Sequence, residues 1–142
     1  MRWICPVFDR QAIFDRVCRH LIKLDERSFK SGICSYRGDE GRQCAIGCLI
    51  SDSDYDPDIE GLTPIRSLEY ADVDRRSKLL VDILKSSIGA ESFDDFLFLT
   101  ELQNIHDETM PCNWVDRLAR YADAHNLKTC DELDDELCKQ QR

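Results

Sequence analysis

The residues of this chain that could perform covalent chemistry are two cysteines, a histidine and its polar neighbours. Cys44 and Cys48 lie in an apolar segment, and His106 follows much later with Gln103 and Asp107 near it. A cysteine nucleophile needs a base within hydrogen-bond reach and a third group that orients the base. The sequence therefore allows a thiol-dependent hydrolase or transferase in which His106 is the base and Asp107 or Gln103 orients it.

The spacing of these residues does not favour that enzyme. Successive residues of an α-helix point about 100° apart, so we expect Asp107 to diverge from His106, whereas Gln103 faces it. Catalysis also needs oxyanion donors, and none can be identified from the sequence. The alternative is that both thiols fill the core and that His106 closes a helix with a hydrogen bond. We expect a protein that is not an enzyme.

A zinc site is a second possibility near the same cysteines. Cys34, Cys44 and Cys48 could be ligands, with His20 or His106 as the fourth. However, the chain has no paired C-x-x-C motif, which zinc sites of this kind usually contain. We expect no metal.

A calcium loop is a third possibility, because acidic residues alternate with other residues in one segment: Asp52, Asp54, Asp56, Asp58 and Glu60. The calcium loop needs a glycine at its sixth position and a bidentate glutamate at its twelfth. Pro57 and Thr63 occupy these positions. We expect no calcium and no other cofactor.

The acidic segment has a second interpretation, because a similar run occurs near the end of the chain: Asp131, Glu132, Asp134, Asp135 and Glu136. Carboxylates held on a rigid frame can occupy a basic groove of another protein and speed association with it. The alternative is ordinary solvation of a charged surface. Tyr36 and Arg37 lie beside a predicted turn, where they either anchor a partner or pack the turn on a helix.

The elements that would position these residues are mostly helices. Asp9 is a predicted N-cap for an amphipathic helix that runs to Leu24. Two short strands, 33–37 and 42–46, are predicted to form a hairpin around Gly38 to Gly41. A short helix over 47–50 and a loop over 52–61 follow.

The second half of the chain predicts further helices. One runs from Val73 to Ile88 and ends at Gly89. The next begins at a capping box of Ser92 and Asp95 and is the central helix, with Phe93 and Phe96 in the core. Two more are expected, one from Pro111 to Asn126 with Trp114 buried, and one opened by a capping box of Thr129 and Glu132.

Composition limits the class of protein. The chain has 142 residues, of which 42% are hydrophobic and 33% charged, and this predicts one globular domain over 1–142. We expect a mainly α (α+β) fold, a bundle-like arrangement with one short two-stranded hairpin. The net charge of −9 disfavours direct binding of nucleic acid or anionic membranes. No apolar stretch suits a membrane span and no signal peptide is evident, so we expect a cytoplasmic protein with reduced cysteines.

Several segments resemble small phage and prophage proteins. The first is Cys34-Ser-Tyr36-Arg37-Gly38 with Gly41-Arg-Gln-Cys44-Ala-Ile-Gly-Cys48-Leu-Ile, and the second is Leu102-Gln103-Asn-Ile-His106-Asp107. Further matching residues are Phe14, Val17, His20, Leu21, Tyr55, Glu60, Gly61 and Trp114. The resemblance covers about two thirds of the chain and implies a phage or mobile-element origin. It supplies no activity, cofactor or substrate.

Together these observations lead to one hypothesis and two alternatives. The hypothesis is a non-catalytic, acidic, phage-type interaction protein that binds and inhibits a host macromolecule with a basic surface, such as a nucleic-acid-handling defence complex. The partner would contact both acidic runs, Tyr36 and Arg37. The alternatives are the thiol-dependent enzyme and a homo-oligomeric structural or regulatory protein.

Overall fold

The computed structural model describes residues 7–24, 29–30, 33–38 and 42–140, and for 29–30 and 33–34 it describes the backbone alone. The α-helices in this part of the chain are α1 (Arg10–Leu24), α2 (Pro64–Tyr70), α3 (Arg75–Ile88), α4 (Phe93–Glu108), α5 (Trp114–Ala124) and α6 (Asp131–Gln140). The predicted mainly helical class is confirmed. Within the described ranges, every helix is too short or too polar to cross a membrane.

The ends of three helices follow the predicted local chemistry. Asp9 accepts a hydrogen bond from the backbone N–H of Ala12 at 3.1 Å, so it caps α1. At the start of α4, Ser92 and Asp95 each accept from the other's backbone N–H at 3.1 Å, which is a complete capping box. Gly89 ends α3 with a φ of 73°, a left-handed conformation that glycine adopts without steric cost.

Other helix starts differ from the prediction. Helix α2 was not predicted, and α3 begins at Arg75 because Asp74, not Val73, caps it by accepting from the N–H of Ser77 at 3.2 Å. Near the end of the chain, the hydroxyl of Thr129 donates to Asp134. Because α6 begins at Asp131, Cys130 and not Thr129 directly precedes it, so the predicted capping box of Thr129 and Glu132 does not match the observed start.

The predicted hairpin is not found as two strands over 33–37 and 42–46. In the described residues, β1 (Phe29–Lys30) pairs antiparallel with β2 (Ile33–Cys34), and a single bridge joins Arg37 to Gln43. Residues 39–41 of the predicted turn lie outside the described residues. The second strand fails because residues 44–47 are buried in succession and turn into a 3₁₀ helix, Gly47–Leu49, whereas a half-exposed strand buries alternate residues.

One hydrophobic core joins the helices. Its fully buried members include Phe14 of α1, Leu84 of α3, Leu102 of α4, Leu118 of α5 and Leu133 of α6. Of the three aromatic residues predicted to lie in this core, two are buried and one is exposed. Phe96 and Trp114 are buried, as predicted, but Phe93 is 55% exposed because it is the first residue of α4 and lies on its outer side.

Candidate functional site

The last turns of α4 contact the segment that follows the Arg37–Gln43 bridge. Gln103 connects the two parts: its Oε1 accepts from the backbone N–H of Ile46 at 3.1 Å, and its Nε2 donates to Oδ1 of Asp107 at 2.8 Å. Gln103 is buried, so both ends of its amide are used inside the protein. The two segments that carry the phage resemblance therefore meet at this side chain.

His106 and Asp107 are in direct contact, contrary to the prediction from helix geometry. Nδ1 of His106 lies 2.7 Å from Oδ1 of Asp107. An ionised carboxylate can only accept, so Nδ1 carries the proton and donates it. The prediction was wrong because it considered Cα directions alone, whereas rotation about the side-chain bonds returns the carboxylate to the imidazole. His106 is fully buried and stacks on Trp114 with ring centroids 5.3 Å apart.

The two cysteines proposed as nucleophiles are in structural positions. Cys44 is fully buried and its Sγ accepts from the N–H of Gly47 at 3.2 Å. Burial raises the pKa of the Cys44 thiol well above its ordinary value. Cys48 donates its S–H to the carbonyl of Ala45 at 3.1 Å, and burial raises its pKa to about 12. Thiols that keep their protons are poor nucleophiles, so this geometry does not favour a thiol enzyme.

A small cavity lies beside the Asp107 carboxylate. Its volume is about 210 Å³, and its lining residues are Ser35, Tyr36, Gly61, Leu62, Thr63, Gln103 and Asp107. The side chain of Asp107 is 32% exposed. The hydroxyl of Ser35 is buried and has no hydrogen-bond partner among the described residues. Ser35 was not a candidate in the sequence, because nothing in its neighbours distinguishes it from a turn serine.

Tyr36 and Arg37 do not form an exposed tip. Tyr36 is 4% exposed, its hydroxyl donates to the carbonyl of Leu62, and its backbone N–H donates to Oε1 of Glu60 at 2.8 Å. The guanidinium of Arg37 donates to the carbonyls of Gly47 and Ile50 at 2.5 and 2.7 Å. The packing interpretation describes both residues, and their contact with a partner stays a prediction that these internal hydrogen bonds do not favour.

Three of the five carboxylates in the loop run, Asp54, Asp56 and Glu60, accept hydrogen bonds within the protein, whereas Asp52 and Asp58 are exposed. Glu60 accepts from Tyr36, and Asp54 accepts from the hydroxyl of Ser87 at 3.0 Å. The remaining three contacts are Asp56 with the N–H of Asp58 at 2.9 Å, Asp52 with Arg37 at 3.3 Å, and Asp58 with Arg75 at 3.9 Å. Most of these carboxylates stabilise the loop, which weakens their case as a docking surface.

The second acidic run is more available. Asp131, Asp134 and Asp135 are exposed on α6, and we call these three residues the α6 acidic face. Among the described residues no lysine, arginine or histidine forms an ion pair with them, and Asp134 accepts one hydrogen bond, from the hydroxyl of Thr129. Their neighbours differ, since Glu132 pairs with Arg19 at 3.2 Å and Glu136 with Lys139 at 3.1 Å.

The described side chains considered for zinc and calcium do not gather around a common point. Within the described side chains, no three His, Cys, Asp or Glu residues are placed to hold a metal ion. The side chain of Cys34 lies outside that description. His20 instead donates from Nε2 to the carbonyl of Gln43 at 2.5 Å.

Comparison of the chain with protein-family models, with curated proteins and with solved structures found no match. The phage resemblance therefore stays a prediction, and any functional statement depends on the geometry of the chain itself.

Proposed function

We propose that this chain is a non-catalytic, phage-type interaction protein that acts in the host cytoplasm. It binds a basic surface of a host macromolecule and inhibits it, and a nucleic-acid-handling defence complex is the target class we favour. The observation that carries the proposal is the α6 acidic face: three exposed carboxylates on one regular helix.

The helix that bears these carboxylates is firmly attached to the rest of the molecule. Leu133 is fully buried and α6 packs on both α1 and α5. The Arg19–Glu132 pair at 3.2 Å adds a polar contact to α1. Because the backbone is fixed, a cationic partner meets carboxylates whose spacing is already set, and little ordering is needed on binding. The net charge of −9 attracts such a partner over a longer range.

The test is capture of partners from host lysate on the immobilised chain. The variant is D131N/D134N/D135N, and the matched control is E69Q/D72N/D94N, which removes the same charge from exposed positions elsewhere. Asp94 lies in the first turn of α4 as Asp131 and Asp134 do in α6, so both variants lose some helix-dipole stabilisation, about 0.3–1 kcal/mol per residue. Thermal unfolding establishes that both are folded.

We expect the unmodified chain and the control to capture the same basic protein at about 50 mM salt, and to lose it at about 500 mM. The α6 variant should capture much less. If the α6 variant captures as much as the control does, the proposal is wrong. A light-scattering mass near the chain mass of 16.5 kDa would separately exclude the homo-oligomer.

A further inference from the structure

We propose that Cys18 and Cys130 form a redox-sensitive pair, which a hydroperoxide converts into a disulfide that ties α6 covalently to α1. Cys18 lies in α1 and Cys130 directly precedes α6, and both are free thiols. Disulfides of cytoplasmic proteins are usually transient and redox-sensing, so we expect the pair to be reduced at rest. The proposal does not depend on the α6 acidic face, because oxidation of the pair needs no partner.

Two polar contacts join the segments that carry this pair. The side-chain amide of Gln11 donates to the carbonyl of Lys128 and accepts from its N–H, both at 2.9 Å. Further along, Arg19 pairs with Glu132 at 3.2 Å. The first contact comes before the cysteines in both segments and the second comes after them. The two segments therefore lie side by side and run in the same direction.

Helix geometry turns Cys18 toward the neighbouring segment. Cys18 follows Gln11 by seven residues, close to two helical turns, so both side chains leave α1 on nearly the same side and about 10.5 Å apart along the axis. Cys130 follows Lys128 by two residues, which span about 7 Å of extended chain. The two cysteines therefore lie at similar heights along the shared direction, which a disulfide with Cα atoms about 4.4–6.8 Å apart requires.

The electrostatics of Cys18 agree with this placement. Burial raises the pKa of Cys18 most, and the thiol of Cys130 raises it further, by more than Asp15 does. Charge interactions weaken with distance, and Asp15 is only one helical turn from Cys18 on the same helix. Cys130 is therefore a close neighbour of Cys18.

The two thiols differ in their access to solvent. Cys18 is fully buried, whereas Cys130 is 8% exposed. A small oxidant such as hydrogen peroxide therefore reaches the sulfur of Cys130 first. Cys18 is shielded from external reagents, so its role is to attack the oxidised sulfur of its neighbour.

The oxidation has two steps. The thiolate of Cys130 attacks one oxygen of hydrogen peroxide, the O–O bond breaks, and the sulfenic acid of Cys130 forms while hydroxide takes up the thiol proton as water. The sulfur of Cys18 then attacks the sulfenic sulfur, and its proton leaves with the sulfenic oxygen as a second water. The two thiols lose two electrons, which reduce one peroxide to two waters.

The first step should be slow at neutral pH. Burial raises the pKa of Cys130, although the backbone N–H of Leu133 partly opposes this. Because the thiolate is the form that reacts with peroxide, we expect the rate of disulfide formation to rise about tenfold per pH unit between about pH 7 and about pH 8.

The experiment treats the full chain with hydrogen peroxide, digests it without reduction and identifies linked peptides by mass spectrometry. We expect a peptide pair joined through Cys18 and Cys130, lost on treatment with dithiothreitol. The oxidised chain should unfold at a temperature at least about 5 °C higher, because this disulfide joins residues far apart in the chain and restricts the unfolded state. Amide hydrogen exchange in α6 should be slower, since α6 can no longer separate from α1.

The main variant is C130S, because Cys130 lies near the surface and serine is of similar size. It should form no such linkage and gain no thermal stability, and the same peroxide treatment of this variant controls for oxidation of methionine. C112S, which removes an exposed thiol, is the matched control and should keep both effects. C18A should leave Cys130 as a sulfenic or sulfinic acid.

Several results would overturn the pair. These are a disulfide that joins either cysteine to a different residue, oxidation of Cys130 to the sulfinic acid in the unmodified chain without a linkage, and a linkage that leaves the unfolding temperature and the exchange of α6 unchanged. All readouts are made on the chain alone. Capture of a partner by the α6 acidic face can therefore fail while this pair holds, and the reverse.

Discussion

Gly47 fixes how the segment after Gln43 lies against Tyr36. A Cβ at this position would be 2.1 Å from the carbonyl oxygen of Tyr36, which is backbone and cannot rotate away. We expect G47A to lower the free energy of unfolding by about 3 kcal/mol, at the upper end of the overpacking range. Denaturation in urea measures this change in the free energy of unfolding.

The control for this substitution is G61A. Gly61 has a φ of +83° and a Cβ there would meet nothing within 4 Å, so only the left-handed backbone penalises alanine, by about 1–2 kcal/mol. Equal losses in the two variants would show that the contact between Gly47 and Tyr36 does not constrain the fold.

The cysteines should differ widely in reactivity. Cys112 and Cys138 are exposed, whereas Cys18 and Cys44 are buried and their pKa values are raised by burial. At about pH 8 we expect iodoacetamide to modify the exposed pair in the native protein and the buried pair only after unfolding, because the thiolate is the reactive form. Peptide mass spectrometry of the timed reaction gives each rate. Native-state modification of Cys44 as fast as that of Cys112 would restore the thiol-enzyme alternative.

At the scale of elements, His20 joins α1 to the residue that ends the Arg37–Gln43 bridge. Burial lowers the pKa of His20 below its ordinary value of 6.5, although the bond to the Gln43 carbonyl partly opposes this. Below pH 6.5 the unfolded chain therefore takes up a proton that the folded chain does not, and stability falls as the pH falls. We expect the free energy of unfolding to decrease from pH 7.5 towards pH 5.5, about one unit on either side of that value.

The variant H20Q should remove this part of the pH dependence, since glutamine keeps a donor for the Gln43 carbonyl and does not titrate. H125Q, which removes a more exposed imidazole, is the control and should keep it. Two carboxylates also have lowered pKa values. A hydrogen bond from Ser77 lowers the pKa of Asp74, and a hydrogen bond from its own backbone lowers that of Glu132. Both change the free energy of unfolding only below about pH 4.5. An unchanged pH profile in H20Q would contradict the assignment.

Elements with their own periodicity and caps could be predicted from the sequence, and the others could not. Helices α1 and α4 combine an apolar stripe with Asp9 or with the pair Ser92 and Asp95, so local chemistry specifies both their type and their start. Helix α2 has only 7 residues and too few turns to show a stripe. The single bridge between Arg37 and Gln43 does not extend into the predicted pair of strands, because the helices bury residues 44–47 in succession and this packing outweighs their preference for a strand.

The candidate site was predictable by residue type but not by geometry. The sequence shows three polar residues within an otherwise apolar helix, namely Gln103, His106 and Asp107. In the structure Gln103 and His106 both donate hydrogen bonds to Asp107. The contact of Gln103 with the N–H of Ile46 depends on how separate segments pack. No spacing along the chain encodes that arrangement.

For the whole molecule, the important distinction is between acidic residues that stabilise the fold and those that remain available. In the sequence the loop run and the α6 run look the same, because the sequence shows the acidic residues but not their hydrogen-bond or ion-pair partners. The structure separates them: Glu60 and Asp54 accept internal hydrogen bonds, whereas Asp131 and Asp135 face solvent on a packed helix. A partner attracted by net charge should therefore dock at α6.

The most direct test measures the affinity of the captured partner for the purified chain across salt concentrations from about 50 to about 500 mM. We predict that the slope of log Kd against log salt is steep for the unmodified chain and for E69Q/D72N/D94N, and clearly shallower for D131N/D134N/D135N, because fewer ion contacts are lost. Identical slopes for the three proteins would contradict the account.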